Sequence, residues 1–188
     1  RYAYIVNSTR GNLQIFDVSI PSAPRSIKTI SAGSTAYSVF ILDRFAYVVN
    51  AGANVLNIFD ISNPLLPVSV SNTSTGASSY PTSVVVQGRY AYITLFSTSK
   101  MLVVDISNPA SPSTVATVNV ASGPIGVSVS GRYAYVVSQT AALLEVFDVS
   151  VPAVPKRTAG TSLGTTPYKP IIAGRYVYVP NFGSDTLQ

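Results

Sequence analysis

The chain has 188 residues, 47% of them hydrophobic and only 10% charged, with a net charge of +5. That is enough apolar material for a buried core and too little charge for disorder, and the length alone is that of one domain. The chain contains neither cysteine nor histidine. This removes disulfides, thiolate metal sites, the cysteine nucleophile and the commonest general base. No apolar run approaches the ~18 residues of a membrane-spanning helix, so no transmembrane segment is expected.

Two motifs recur with one period. Arg-aromatic-x-Tyr begins at Arg1, Arg44, Arg89, Arg132 and Arg175, in steps of 43, 45, 43 and 43 residues. Asp-[Val/Ile]-Ser-x-Pro-x-x-Pro and its variants begin at Asp17, Asp60, Asp105 and Asp148, in steps of 43, 45 and 43. A shared period in the range of 20–50 residues dictates a repeat architecture. Each period is predicted to hold four short strands. The first strands are Ala36–Ile41, Thr82–Val86, Ile125–Val129 and Tyr168–Ile172. Each runs into a two-residue turn, Gln87-Gly88, Ser130-Gly131 or Ala173-Gly174, with Leu42-Asp43 in the remaining copy; such a pair between Val- and Tyr-rich runs signals a hairpin. The Tyr-x-Tyr run is the second strand. The third strands are Leu13–Asp17, Leu56–Asp60, Leu102–Asp105 and Leu144–Asp148. A weaker fourth covers Ser26–Ile30, Val68–Ser71, Val115–Val120 and the region of Lys156–Thr158.

The middle strands are apolar on both faces, with Ala91, Ile93 and Val103 expected on one and Tyr90, Tyr92 and Val104 on the other. A sheet with one wet face would alternate polar and apolar residues, so these sheets are expected to be covered on both sides. Four-stranded sheets of ~43 residues stacked face to face describe an all-β propeller. The expected arrangement is one β-propeller domain over residues 1–188, with about four and a third antiparallel blades and units beginning near 1, 36, 80, 124 and 167. The run ends inside a fifth copy, which predicts an arc of a larger ring of about six to eight blades. Its open blade ends would expose strand edges and apolar faces, giving a route to self-association.

The prolines follow the third strand, where a residue that cannot donate to a ladder is tolerated. A spacing of 16 residues separates Arg1 from Asp17, Arg44 from Asp60, Arg89 from Asp105 and Arg132 from Asp148. A hairpin centred midway would set each pair opposite, giving one Arg–Asp contact per blade on one rim. The same register would pair Phe45 with Phe59 and Tyr133 with Phe147. The rival reading has Asp capping the Ser-Pro turn and Arg in solvent. Outside the repeat, seven basic residues face three acidic ones. They are scattered, where a nucleic-acid surface needs a dense basic stripe, so no nucleic-acid partner is expected.

With Tyr-Ala-Tyr-[Ile/Val], Leu-x-[Ile/Val]-[Phe/Val]-Asp and the Asp-Ser-Pro turn in register, the chain resembles the LVIVD-repeat β-propellers and, more loosely, the YVTN-type propellers. The stretch Tyr178–Leu187 looks like the second family's repeat, with Pro180 out of pattern. The resemblance implies an extracellular or cell-surface location.

The loops between strands two and three, and those joining successive blades, are expected on one side of the molecule, where they vary over a constant scaffold. Candidate binding residues there are Arg10, Tyr80, Phe96, Lys100, Tyr168, Lys169 and Phe182. Asn7 and Asn72 match the N-glycosylation triplet. With no His, no Gly-x-Ser-x-Gly elbow and no phosphate loop, no catalytic, cofactor-binding or metal-binding residue is assigned, and no cofactor is expected. The leading expectation is a non-enzymatic scaffold that binds protein or glycan through the variable loops. The competing one is an enzyme of lactonase or quinoprotein type, working in the central funnel and completed by further blades. A third is a structural subunit of a surface assembly.

Overall fold

The computed structural model describes residues 1–188 and is built almost wholly of antiparallel strands. The first copy contributes a three-stranded sheet, β1 (Tyr2–Asn7), β2 (Asn12–Asp17) and β3 (Arg25–Ser31). Three complete blades follow, each in the order of its sequence. These are β4 (Ala36–Leu42), β5 (Phe45–Asn50), β6 (Val55–Asp60) and β7 (Val68–Ser74); β8 (Pro81–Gln87), β9 (Tyr90–Leu95), β10 (Lys100–Asp105) and β11 (Ser113–Asn119); and β12 (Pro124–Ser130), β13 (Tyr133–Ser138), β14 (Leu143–Asp148) and β15 (Lys156–Ser162). The fifth copy is shorter: β16 (Ile171–Ala173), β17 (Tyr176–Tyr178), β18 (Pro180–Asn181), a 3-10 turn at Phe182–Ser184 and β19 (Thr186–Leu187). No helix is long and apolar enough to cross a membrane.

The sheets stack as blades of a propeller arc. β4 packs on β8, β8 on β12 and β12 on β16, so the first strand of each copy faces the axis. The outermost strand is the most exposed, β15 along its whole length. Four buried clusters fill the gaps between blades. One joins Leu13 to Ala46, Val48 and Phe59; the second joins Leu56 and Ile58 to Ile93, Leu102 and Val104; the third joins Tyr92, Met101 and Val103 to Val136 and Phe147; the smallest joins Ile125 and Val137 to Val179. A fully buried side chain of this size contributes ~1.5–3 kcal/mol, so the blades are held chiefly by their neighbours.

The hairpin register differs from the expected one by one residue. Phe45 lies opposite Asp60, Ala46 opposite Phe59 and Ala134 opposite Phe147, so the proposed aromatic pairs Phe45–Phe59 and Tyr133–Phe147 do not form. A one-residue slip moves every side chain of one strand to the other face. Accordingly Val104 shares a core with Ala91 and Ile93, whereas Val103 joins Tyr92. In the first four copies the Arg lies one step beyond the paired residues, and its carbonyl accepts from the residue after Asp, as in Ile61 N–H to Arg44 O at 2.8 Å.

The Arg–Asp contact nevertheless forms, reached diagonally, in three blades: Arg44–Asp60 at 2.8 Å, Arg89–Asp105 and Arg132–Asp148. Each guanidinium also stacks on the aromatic ring that follows it, 5.0 Å from Phe45 and 5.3 Å from Tyr90 and Tyr133. The second carboxylate oxygen does the job the rival reading gave it. Oδ1 of Asp60, Asp105 and Asp148 accepts the backbone N–H of Ser62, Ser107 and Ser150, each at 2.9 Å. In the first copy Asp17 makes the same turn bond with Ser19 but forms no ion pair with Arg1.

The fifth copy also departs from expectation. Its first strand begins at Ile171 instead of Tyr168, with only an isolated bridge from Pro167 to Asn181 before it. Pro170 and Pro180 have no N–H to give to the ladder, which accounts for both the late start and the break between β17 and β18.

The turn from first to second strand holds a left-handed residue in each copy: Asp43 (φ 52°), Gly88 (58°), Gly131 (58°) and Gly174 (60°). Nothing lies within 4 Å of a Cβ built on Gly131, so only the backbone conformation opposes a side chain there. Gly131→Ala is expected to destabilise by ~1–2 kcal/mol, and Asp43→Gly to change stability little or raise it, both read by denaturant unfolding. A double-mutant cycle on Arg89 and Asp105 is expected to show favourable coupling that weakens with salt. Asp105 is held below its ordinary pKa of 3.8, first by the Ser107 backbone N–H and hydroxyl and then by Arg89. A depressed carboxylate binds fewer protons folded than unfolded, so its contribution is complete above the unfolded value and is lost as pH falls through the folded one. Asp105→Asn should therefore flatten the acid limb of stability below about pH 4, checked by thermal unfolding from pH 5 to pH 2.

Candidate functional site

Three positions in each copy build the mouth of the channel. The first is a bulged residue on the first strand. Pairing of first with second strand skips one residue between Ala36 and Ser38, between Pro81 and Ser83, and between Pro124 and Gly126. The unpaired residues are Tyr37, Thr82 and Ile125, and Tyr168 holds the same place in the fifth copy. Bulges re-aim side chains and gather near active sites.

The second position lies just before that strand and is left-handed in every copy: Thr35 (φ 62°), Tyr80 (50°), Gly123 (67°) and Thr166 (52°). Three of the four are not glycine, so each carries a conformational cost of order 1–2 kcal/mol. The backbone turn has a purpose. It aims each carbonyl at the amide just past the second strand: Thr35 O accepts from Ala51 N–H (2.9 Å), Tyr80 O from Phe96 (3.0 Å), Gly123 O from Gln139 (2.7 Å) and Thr166 O from Phe182 (3.0 Å). Ala51, Phe96, Gln139 and Phe182 form the third position.

These positions close a cavity of about 320 Å³ lined by Tyr37, Tyr80, Thr82, Phe96, Ser97, Ile125 and Gln139. Its aromatic wall is continuous: Tyr80 meets Tyr37 edge-on at 6.1 Å and Phe96 at 6.2 Å. Thr82 Oγ1 lies 2.9 Å from Pro124 O and 3.0 Å from Thr94 Oγ1, tying two blades together beneath it. Burial pushes the Tyr37 hydroxyl above its ordinary pKa of 10.0, with Tyr168 and Tyr80 adding to the effect. It therefore stays protonated at neutral pH and can donate a hydrogen bond. A wider opening of about 700 Å³ adjoins it, lined by Gln139, Thr166, Tyr168, Phe182 and terminal residues of the fifth copy. The smaller cavity is the better-built site, because three complete blades supply its walls.

Of the residues singled out from sequence, Tyr80 and Phe96 lie in this wall, and Lys169 Nζ sits 5.7 Å over the Tyr37 ring. Tyr168 and Phe182 line the wider opening. Arg10 lies in the exposed β1–β2 turn, its N–H given to Asn7 Oδ1 at 2.9 Å, and Lys100 opens β10; neither lines the two cavities. Asn72 is exposed on β7. Tyr37, Thr82, Ile125 and Gln139 were not singled out. The signal that could have found them is their place in the repeat, where Tyr, Thr, Ile and Tyr alternate inside an otherwise constant frame.

The fold and this mouth define an arc of a β-propeller with a polar-aromatic site at one end of its channel. The chain belongs to the LVIVD-repeat family, whose repeat pattern matches residues 1–30, 33–75, 80–120 and 125–157. No curated protein matches it. Among solved structures it is similar to the periplasmic gluconolactonase of Pseudomonas aeruginosa (19% identity, TM-score 0.87), covering 100% of this chain and 62% of that one. It is also similar to a Bacteroides uniformis protein named as a candidate 6-phosphogluconolactonase (14%, 0.89, 100% and 63%). A Desulfotomaculum acetoxidans protein of unknown function is a third such structure (14%, 0.79, 98% and 64%). The chain thus spans less than two thirds of the length of each. At these identities the likeness establishes the fold.

The expectation of a non-enzymatic scaffold that binds protein or glycan is corrected by these neighbours, two of which carry lactonase names. That expectation rested on the lack of histidine and of clustered acids. Polarising an ester carbonyl needs neither, and the mouth offers tyrosine, threonine and glutamine side chains.

Proposed function

We propose that this arc belongs to an enzyme that opens the ring of a sugar-acid lactone at the loop end of a central channel, the whole ring being completed by further blades. The observation that carries the reading is the cavity of about 320 Å³ whose walls come from the bulged, left-handed and amide-donating positions of successive copies. Its volume is at the small end of the ~300–1,000 Å³ usual for ligand pockets and suits a single six-membered ring. The faces of Tyr80 and Phe96 pack against the C–H face of that ring, while Thr82, Ser97 and Gln139 meet its hydroxyls.

Lactone opening adds water to the carbonyl carbon with loss of one water proton to solvent, forms a tetrahedral oxyanion, then breaks the ring C–O bond as the ring oxygen takes a proton back from solvent. The protein's part in this reading is to orient the ring and stabilise the oxyanion. The Tyr37 hydroxyl, kept protonated by burial, is a preorganised donor in a partly dry site, where such bonds count most. The location that goes with the reading is outside the cytoplasm, supported by the family resemblance and by a neighbour named as periplasmic. The exposed apolar residues at the two ends of the arc, Ile5 and Tyr2 at one and Ile171 and Tyr176 at the other, are in this reading covered by the remaining blades.

The full-length protein is expected to hydrolyse glucono-δ-lactone faster than buffer does, followed by acid release. Tyr80→Ala and Phe96→Ala should each lower kcat/KM by about tenfold, ~1.4 kcal/mol of transition-state stabilisation, with Lys100→Ala unchanged. A full-length protein that leaves the buffer rate unaltered overturns the reading.

A further inference from the structure

Lys169 is the one basic side chain carried to the channel, and it arrives there without a counterion. It takes part in none of the four ion pairs of the chain, which are Arg44–Asp60, Arg89–Asp105, Arg132–Asp148 and Arg157–Glu145. Burial alone lowers its pKa from 10.5, with no carboxylate acting on it. The titratable groups around its head are hydroxyls: Tyr37 of β4 beneath the ammonium, Tyr168 near enough to Tyr37 to raise its pKa, and Tyr80 edge-on to that ring.

The placement is built. Pro167 O accepts from Gln139 Nε2 at 3.2 Å and Pro170 O from Ser128 Oγ at 2.6 Å, so blade four grips the segment on both sides of Lys169. Between those bonds the lysine lies across Gly126. A Cβ added to Gly126 would come within 2.7 Å of Lys169 Cα and 3.0 Å of its Cγ. Pro170 Cδ would lie at 2.8 Å, so the glycine, at a place held by Ser38 and Ser83 in other blades, lets the backbone of this segment close in and brings the lysine with it. A half-buried, uncompensated cation is costly to hold. Its position beside donor hydroxyls leaves one kind of partner to complete it.

We propose that Lys169, with the hydroxyl of Tyr168, forms an oxyanion subsite in the channel that takes a carboxylate or phosphate group of a small polar ligand. The subsite rests on the reading above for the identity of that ligand, whose anionic substituent it would hold while the ring occupies the neighbouring cavity. The ammonium supplies the charge, and the Tyr168 hydroxyl donates to a second oxygen atom, which leaves the Tyr37 proton for the ring carbonyl. The π face of Tyr37 holds the ammonium in place while the site is empty.

The test is titration of the full-length protein with inorganic phosphate and, separately, with acetate, followed by calorimetry and by tyrosine fluorescence. Saturable binding of either anion is expected, and the two arms show which oxyanion the subsite prefers. Lys169→Met should weaken it at least tenfold, Lys169→Arg should retain it, and Gly126→Ala, which displaces the lysine without removing it, should weaken it too. An anion favours the protonated amine, so binding at alkaline pH should take up protons, seen as a dependence of the measured heat on the buffer's ionisation heat. Affinity should fall as pH rises past the depressed lysine pKa. A far-UV spectrum and melting curve for each variant separate lost binding from lost folding. Failure of both anions to saturate, equal affinity in Lys169→Met, or binding without proton uptake overturns the subsite. Turnover of the uncharged lactone by the full-length wild-type protein is a separate measurement, so the subsite can fail while the lactonase reading stands, and the reverse.

Discussion

Everything in this structure depends on sheets that are apolar on both faces. A blade of four short strands with Ala91, Ile93 and Val104 on one side and Tyr92, Met101 and Val103 on the other has no stable existence in water. It must be covered twice, and the only material available at every position is another blade. Stability in such an array is a sum over neighbours, which is why the middle strands repeat so closely. The requirement also fixes geometry: stacking twisted sheets face to face curves the array, and the first strands are gathered round an axis.

The two ends of that axis are used differently. Strand two runs from its Arg at one rim to the variable loop at the other. At the Arg end four copies carry the same local device, in which one Asp serves a turn amide with one oxygen and, in three blades, an arginine with the other. Each part satisfies its neighbour, and little is left over to bind anything else. At the opposite end the frame is just as regular in its backbone, but the side chains change from copy to copy. Constant chemistry at one rim and constant backbone with changing chemistry at the other separate what holds the blade from what a ligand would meet.

The period, the strand order and the outward position of the prolines were legible because they follow from patterns of two and of about 43 that the residues state directly. Register was not. The midpoint between Arg44 and Asp60 differs by half a residue from the true centre of the hairpin, and a long guanidinium spans the diagonal as easily as the direct gap. A constant spacing between two charged side chains therefore does not fix strand pairing, whereas small side chains such as Ala46, opposite Phe59, are sensitive to it. The mouth was half legible. Tyr80, Phe96 and Lys169 stood out as aromatic or basic residues in variable loops. Tyr37 and Thr82 did not, because they lie inside strands, and a bulge leaves no mark in a single copy.

The bulge and the left-handed residue before it are two parts of one construction. Turning the backbone at Tyr80 sends its carbonyl to Phe96, and the chain can rejoin the ladder only by leaving Thr82 unpaired. Glycine would meet the backbone demand at lower cost, and Gly123 does so in one blade. Threonine or tyrosine at the equivalent places keeps the strain and gains a side chain at the mouth. Stability alone gives no reason for that exchange at Tyr80, a residue still 38% exposed, which so recovers only part of its burial energy. The same holds for Lys169, a half-buried cation held without a counterion. Both residues work against the fold at the one end of the channel where the copies differ, as expected of positions whose side chains answer to a ligand.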